Sequence, residues 1–345
     1  PIPTTDTAEP APEEPLTAPL SEVALLRRMT LDLNGRLPTL EELDAIESDG
    51  VVLEDMVEDL LYNEAFENRL ADWFAEQWLS RVDHFNVGHS DYRLDDTAEY
   101  SFERAVGDEP LRLMAYIAAN DFSWTEVVEA DYTVVDSLLL EVWPLEAADD
   151  LPSSSISNLR PARYTDDRPA GGVVMTNGQW WRYFSAPNNY NRTRAAALSR
   201  LLLCEDYLLR PISFTSSTLL DRESLNEATR TETACVGCHA TLDPLSSALF
   251  GFWWFDLYDV AEMTSYHAER EYLGEYYLDL APAWFGEPMN SPADLGPMIA
   301  RDPRFLTCAV ETAAVALWRR DVMVEDFPVL DTLTDTFEDG GMVFR

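Results

Sequence analysis

Residues 231–244 read TETACVGCHATLDP, and Cys235, Cys238 and His239 within them hold the one spacing in this chain that addresses a cofactor. With four cysteines and four histidines available, CxxCH arises by chance in roughly one sequence of this composition in two thousand, and it reads as covalent attachment of haem c. Two thiols three positions apart reach the two vinyl groups on one porphyrin edge and form thioethers, and the adjacent histidine becomes the proximal iron ligand. Gly237 between them is expected to ease a tight backbone course. Zinc is the main rival. It needs two further ligands, which Cys204 and Cys308 could supply, although neither belongs to a second ligand-spaced pair. A disulfide between Cys235 and Cys238 is the remaining alternative.

Outward from the motif, composition narrows the class of protein. There are 63 acidic residues against 24 basic ones, a formal net charge of −39, and every basic residue is arginine. A surface of this sign repels nucleic-acid phosphates and anionic lipid heads. Acidic excess spread along a whole chain keeps a protein solvated in salty surroundings, and it also attracts a basic redox partner. No apolar run approaches the length of a membrane-crossing helix. GxSxG, Walker, HExxH and GxGxxG patterns are absent, and carboxylate pairs carry no information in so acidic a chain.

The rest reads as mainly α. RLPTLEELDAIESD (36–49) carries a capping box, Thr39 with Glu42, ahead of an apolar run. NEAFENRLADWFAEQWLSR (63–81) places Phe66, Leu70, Trp73, Phe74, Gln77 and Trp78 on one helical stripe. DFSWTEVVEAD (121–131) repeats the cap with Ser123 and Glu126, and 192–209 and 304–320 are two further strong helices. The stretch 144–190 reads as loops with one hairpin, and 240–290 as aromatic and loop-like. The expected organisation is an extended or tethering tail over 1–20, an N-terminal helical domain over 21–143, a loop-rich connection over 144–190 and a haem-binding C-terminal domain over 191–345. The Pro-, Thr- and Glu-rich start suits a tether left after removal of a secretion signal, held by a neighbouring subunit.

NEATRTETACVGCHATLDPLSSALFGFWWFD (226–256) resembles the haem segment of the planctomycete-type cytochrome c proteins, secreted or envelope proteins of largely unknown function. Arg230, Leu242, Asp243, Pro244 and the Phe255–Asp256 pair match that pattern, while Ser246 and Ser247 replace its usual glycine-containing turn. RRMTLDLNGRLPTLEEL (27–43), LADWFAEQWL (70–79), 120–143, 168–204 and 291–320 resemble further blocks of the family, in order. The resemblance implies an extracytoplasmic protein whose C-terminal part is cytochrome-c-like with long aromatic loops. Cys204 and Cys308 match cysteines at the ends of two blocks. In an exported protein the resemblance implies a disulfide between them, with two buried free thiols as the alternative.

The sixth iron ligand stays open among Met175, in the matched loop GGVVMTNGQWW, and His84, His89, His267, Met263 and Met289, or an exchangeable site. Arg230 is the first candidate to pair with haem propionates, ahead of Arg182, Arg192 and Arg194, and the competing expectation for each is an ion pair with a protein carboxylate. Trp253, Trp254 and Phe255 are expected to wall the group from water, or simply to pack the core. The expected function is one-electron transfer with a basic redox partner, within a homo-oligomer or envelope complex. A structural subunit of a surface filament and a peroxidase-like enzyme are the alternatives.

Overall fold

The computed structural model describes residues 19–47, 53–211 and 222–345, so the expected tail lies outside it except for Pro19 and Leu20. The protein is mainly α, with 61% helix against 6% strand, as expected. No helix among the described residues is long and apolar enough to cross a membrane. The chain divides into two compact units, Pro1–Leu60 and Leu61–Arg345.

In the first unit the helix Glu22–Asn34 ends on Gly35 in the left-handed region, with φ of 66°. There a side chain would strain the backbone. The capping box forms as read: Glu42 N–H donates to Thr39 Oγ1 (3.2 Å) and Thr39 N–H to Glu42 Oε2 (2.7 Å). The hydrogen bonds from Arg36, helped by Thr39, hold the Glu42 carboxyl down to about 2.

The second unit is built around the helix Glu99–Ala119, which is buried on nearly all sides. It carries an internal proline, tolerated for a visible reason. Pro110 has no N–H for the Val106 carbonyl, and the backbone of Gly178 lies there instead, where a Cβ would come within 2.2 Å. The aromatic stripe of the helix Glu64–Trp78 buries Phe66, Leu70, Trp73, Phe74 and Trp78, as its spacing predicts, and that helix packs along the central one. The hairpin expected in 144–190 is present, Leu145–Ala147 running antiparallel to Leu159–Tyr164. Thr133–Asp136 pairs with the other edge of Leu159–Tyr164, in the register Thr133↔Ala162, so the middle strand is last in sequence.

Two local expectations fail. Ser123 does not cap a helix with Glu126; it forms a bridge with Val343, and Trp124 N–H donates to Met342 O at 2.8 Å. Ser123 is taken up by pairing with the chain's end and 124–125 form a turn, so the helix is only Glu126–Glu129. The stretch 240–290 is not mainly loop: it contains the end of the helix Thr233–Ser247, then Val260–Thr264, Leu273–Leu278 and the hairpin Ala283–Trp284 with Glu287–Pro288. Phe250, Phe252, Trp253, Trp254, Tyr266 and Trp284 are buried there, which large side chains achieve as readily in short helices as in loops, while Phe255, Tyr258, Tyr272 and Tyr276 stay exposed.

Cys204, just past the helix Arg192–Leu203, is joined by a disulfide to Cys308 in the helix Pro303–Trp318, across 104 positions. Closing a loop of that length removes denatured-state entropy worth about 5 kcal/mol on the chain-entropy model. The double variant C204S/C308S should therefore lose up to about 5 kcal/mol in urea unfolding; an unchanged midpoint would mean that the bridge does not restrain the chain.

Candidate functional site

The motif lies on the helix Thr233–Ser247. Residues three and four apart share a helical face, so Cys235, Cys238 and His239 present two sulfurs and one imidazole to the same side. Cys235 is buried, Cys238 is half-buried, and the two are free thiols rather than a bridged pair. Gly237 lies in continuous helix without positive φ, contrary to the expected tight course, and a Cβ there would meet nothing within 4 Å. Neither strain nor crowding within the protein calls for glycine at that position.

One turn beyond, Asp243 takes hold of the imidazole: His239 Nδ1 lies 2.8 Å from Asp243 Oδ1. An ionised carboxylate can only accept, so Nδ1 carries a proton, and in the neutral ring Nε2 then keeps its lone pair. Arg192, from the neighbouring helix Arg192–Leu203, grips the same carboxylate with both prongs, Nε to Oδ1 at 2.6 Å and Nη2 to Oδ2 at 2.7 Å. Burial alone would raise the Asp243 carboxyl, but the bonds from Arg192 and His239 outweigh it and hold it below the usual carboxylate range. The side chains are 5% exposed at Asp243, 15% at Arg192 and 23% at His239, so solvent screens the trio poorly.

The segment after Cys204 closes on the motif helix from another side. Tyr207 Oη and Thr241 Oγ1 are 2.7 Å apart, and Arg210 Nη1 donates to Gly237 O at 3.0 Å. Arg210 lies over the Tyr207 ring and pairs with Glu205, which also receives Arg304. Sequence reading missed Tyr207 and Arg210; their separation from the motif left no signal. Ser246 and Ser247 are buried at the helix end, Ser246 donating to Leu242 O (2.7 Å) and Ser247 to Leu280 O (2.9 Å).

The other expected participants sit as follows. Arg230 donates to Leu278 O at 2.9 Å and lies 3.7 Å from Asp279, at the end of the helix Leu273–Leu278. Arg182 donates to Leu79 O, past the end of the helix Glu64–Trp78. Arg194 is buried without a carboxylate, bonded to Asn191 Oδ1, Trp180 O and Phe252 O, and burial pulls its guanidinium down to about 9. Met175 is buried beside Ala130, Tyr164 and Arg168, its carbonyl accepting from Arg168. Met263 gives its carbonyl to Trp181, and Met289 is buried beside the Ala283–Trp284 hairpin. His84 is exposed, 3.6 Å from Glu103, and His89 lies 3.7 Å from Asp96. His267 has both ring nitrogens engaged, with Glu262 O and Glu269.

Of the expected aromatic wall, Trp253 belongs to a cluster with Phe250, Leu273, Leu278 and Tyr190, and Tyr190 lies under Arg192. Trp254 stacks on Phe184 as well as on Trp253, and Phe255 is 63% exposed beneath Arg270.

The donor set fits haem c: two unbridged thiols and an imidazole with a free Nε2 on one helical face. The Cys204–Cys308 bridge engages the two thiols that the zinc reading requires. Among the described residues, no group of three or more His, Cys, Asp or Glu side chains could hold a metal ion.

Residues 12–110 match a family model described as PSCyt2, a protein of unknown function (DUF1549), a planctomycete-associated domain. That match takes in the blocks 27–43 and 70–79 and stops short of the motif helix. No curated protein and no solved structure matches the chain.

Removing Asp243 leaves the Arg192 guanidinium poorly hydrated and without its carboxylate, a loss of about 3 kcal/mol by the usual cost of breaking a buried pair. D243A should show it in urea unfolding, and a loss below about 1 kcal/mol would mean the pair is solvent-like.

Proposed function

We propose that this chain is a monohaem c-type cytochrome whose task is one-electron transfer. The observation that carries the reading is the motif helix, where Cys235 and Cys238 stand unbridged beside an imidazole whose Nδ1 is already committed to Asp243. Haem c supplies a one-electron iron couple when bound. The chain's part is to offer two thiols for thioether bonds, to aim Nε2 of His239 at the iron through its Nδ1 partner, and to leave the backbone bare at Gly237. A flat group can approach a helix closely where no Cβ stands.

The Cys204–Cys308 disulfide supports an extracytoplasmic setting, because such bridges persist in oxidising compartments. A formal charge of −39 supports a basic redox partner, drawn by long-range attraction. A single haem moves charge far only beside another, so an oligomer or envelope complex is the working unit in this reading. One observation favours a peroxidase-like activity as a second reading: a carboxylate on Nδ1 makes the proximal imidazole a stronger electron donor. Cyanide or carbon monoxide binding to the native protein separates the two, since electron transfer alone does not need an exchangeable site.

The test is a reduced-minus-oxidised spectrum of the purified protein before and after acid–acetone extraction. A c-type α band that survives extraction is expected, and C235A/C238A should lose it or release its haem to the solvent. A colourless protein from a host competent in haem attachment would overturn the reading.

A further inference from the structure

We infer that Asp243 and Arg192 are positioning residues that set the reduction potential of the group held at His239, Asp243 lowering it and Arg192 opposing that effect. The inference rests on the haem reading above and deepens it. Its basis is the buried relay in which Arg192 forks onto Asp243 at 2.6 and 2.7 Å and Asp243 accepts from His239 Nδ1 at 2.8 Å.

A carboxylate on Nδ1–H draws the proton toward itself and enriches the ring in electron density, which favours the more positive oxidation state of whatever metal Nε2 binds. The guanidinium acts in the other sense. It shares both carboxylate oxygens, so part of the negative charge is held by Arg192 rather than by the imidazole, and its own positive charge lies on the same side. Depth keeps both effects strong, because Asp243 and Arg192 are 5% and 15% exposed. The aromatic cluster adds to this: Tyr190 lies against Arg192 at 5.8 Å, and Trp253 and Tyr277 stack on or beside Tyr190. Water therefore has little access to the pair from that side. A merely structural salt bridge would give both partners the same kind of effect on loss. A tuning relay gives them opposite signs.

The experiment is spectroelectrochemical titration of the haem-loaded protein as wild type, D243N and R192Q, at low and high salt. Asparagine keeps an acceptor for Nδ1–H and removes the charge, so D243N should raise the midpoint potential. R192Q leaves the carboxylate unshared and should lower it, and both shifts should survive high salt. If D243N fails to accumulate, R192Q and R192K decide the matter, R192K falling between wild type and R192Q because it retains the charge but not the fork. Shifts of the same sign, or potentials unmoved in a protein whose α band survives extraction, would overturn this inference alone. Absence of that band in the wild type would overturn the haem reading and this one with it.

Discussion

Three buried acids on one helix organise the larger unit. Glu103, Asp108 and Glu109 all lie on the buried helix Glu99–Ala119, and a carboxylate out of water must find donors. Each recruits a different segment. Glu103 accepts from Phe85 N–H and faces His84, which fixes the loop after the helix Glu64–Trp78. Asp108 is ringed by Arg81, Arg104 and Arg112, tying that same loop to two turns of its own helix. Glu109, pushed up by complete burial, accepts from Tyr164 Oη, Thr133 Oγ1 and Gly178 N–H, and so joins the sheet to the helix Asn177–Arg182.

From that last helix the same logic runs on toward the motif, carried by arginine. Trp180 stacks on Phe252 and lies under Arg194, whose guanidinium reaches the carbonyls of Trp180 and Phe252 and the amide oxygen of Asn191. Two residues earlier Arg192 takes Asp243. Arginine does more here than pair with the abundant carboxylates: Arg182 and Arg194 donate to backbone carbonyls, and Arg210, Arg230 and Arg270 do so while also facing Glu205, Asp279 and Glu262. The planar fork suits this, since one guanidinium can satisfy several fixed acceptors at once, which an ammonium on a flexible stem does less well. An all-arginine basic complement is therefore a packing device here as well as a charge.

What was legible in the sequence follows from how far each feature's cause extends along the chain. The helix Glu64–Trp78 shows itself because it buries one stripe only. The helix Glu99–Ala119 does not separate as clearly, because apolar residues lie on all its faces and Gly107 and Pro110 interrupt it. The Thr39–Glu42 cap is complete within four residues and forms; the similar Ser123–Glu126 signal yields to Val343, which no local window contains. At the site, the motif triple lies within about one turn of a single helix, so spacing finds it, whereas Asp243 entered only as a matched position of the resemblance and its hold on His239 emerges from the fold. Arg192 is 51 positions from Asp243, and Arg210 is 27 from Gly237, so only the fold brings them in. Arg230 illustrates the converse. Five residues before Cys235, it belongs to the preceding helix Arg222–Thr231 and turns to the Leu278 carbonyl.

The motif helix is thus gripped by two arms that leave the same helix, Arg192–Leu203, at its opposite ends. Its first residue supplies the fork on Asp243, which sets the ring of His239. Past its other end, Cys204 is anchored to Cys308, and the segment that follows lays Tyr207 on Thr241 and Arg210 on Gly237. Glu205, shared between Arg210 and Arg304, ties that segment back to the helix that carries Cys308. The disulfide therefore does more than shorten the unfolded chain. It fixes one end of the clamp whose other end orients the imidazole, so loosening it would reach the ring through a single rigid helix. The orientation of the His239 ring is thereby held by covalent and buried ionic contacts rather than by the surface loops around it.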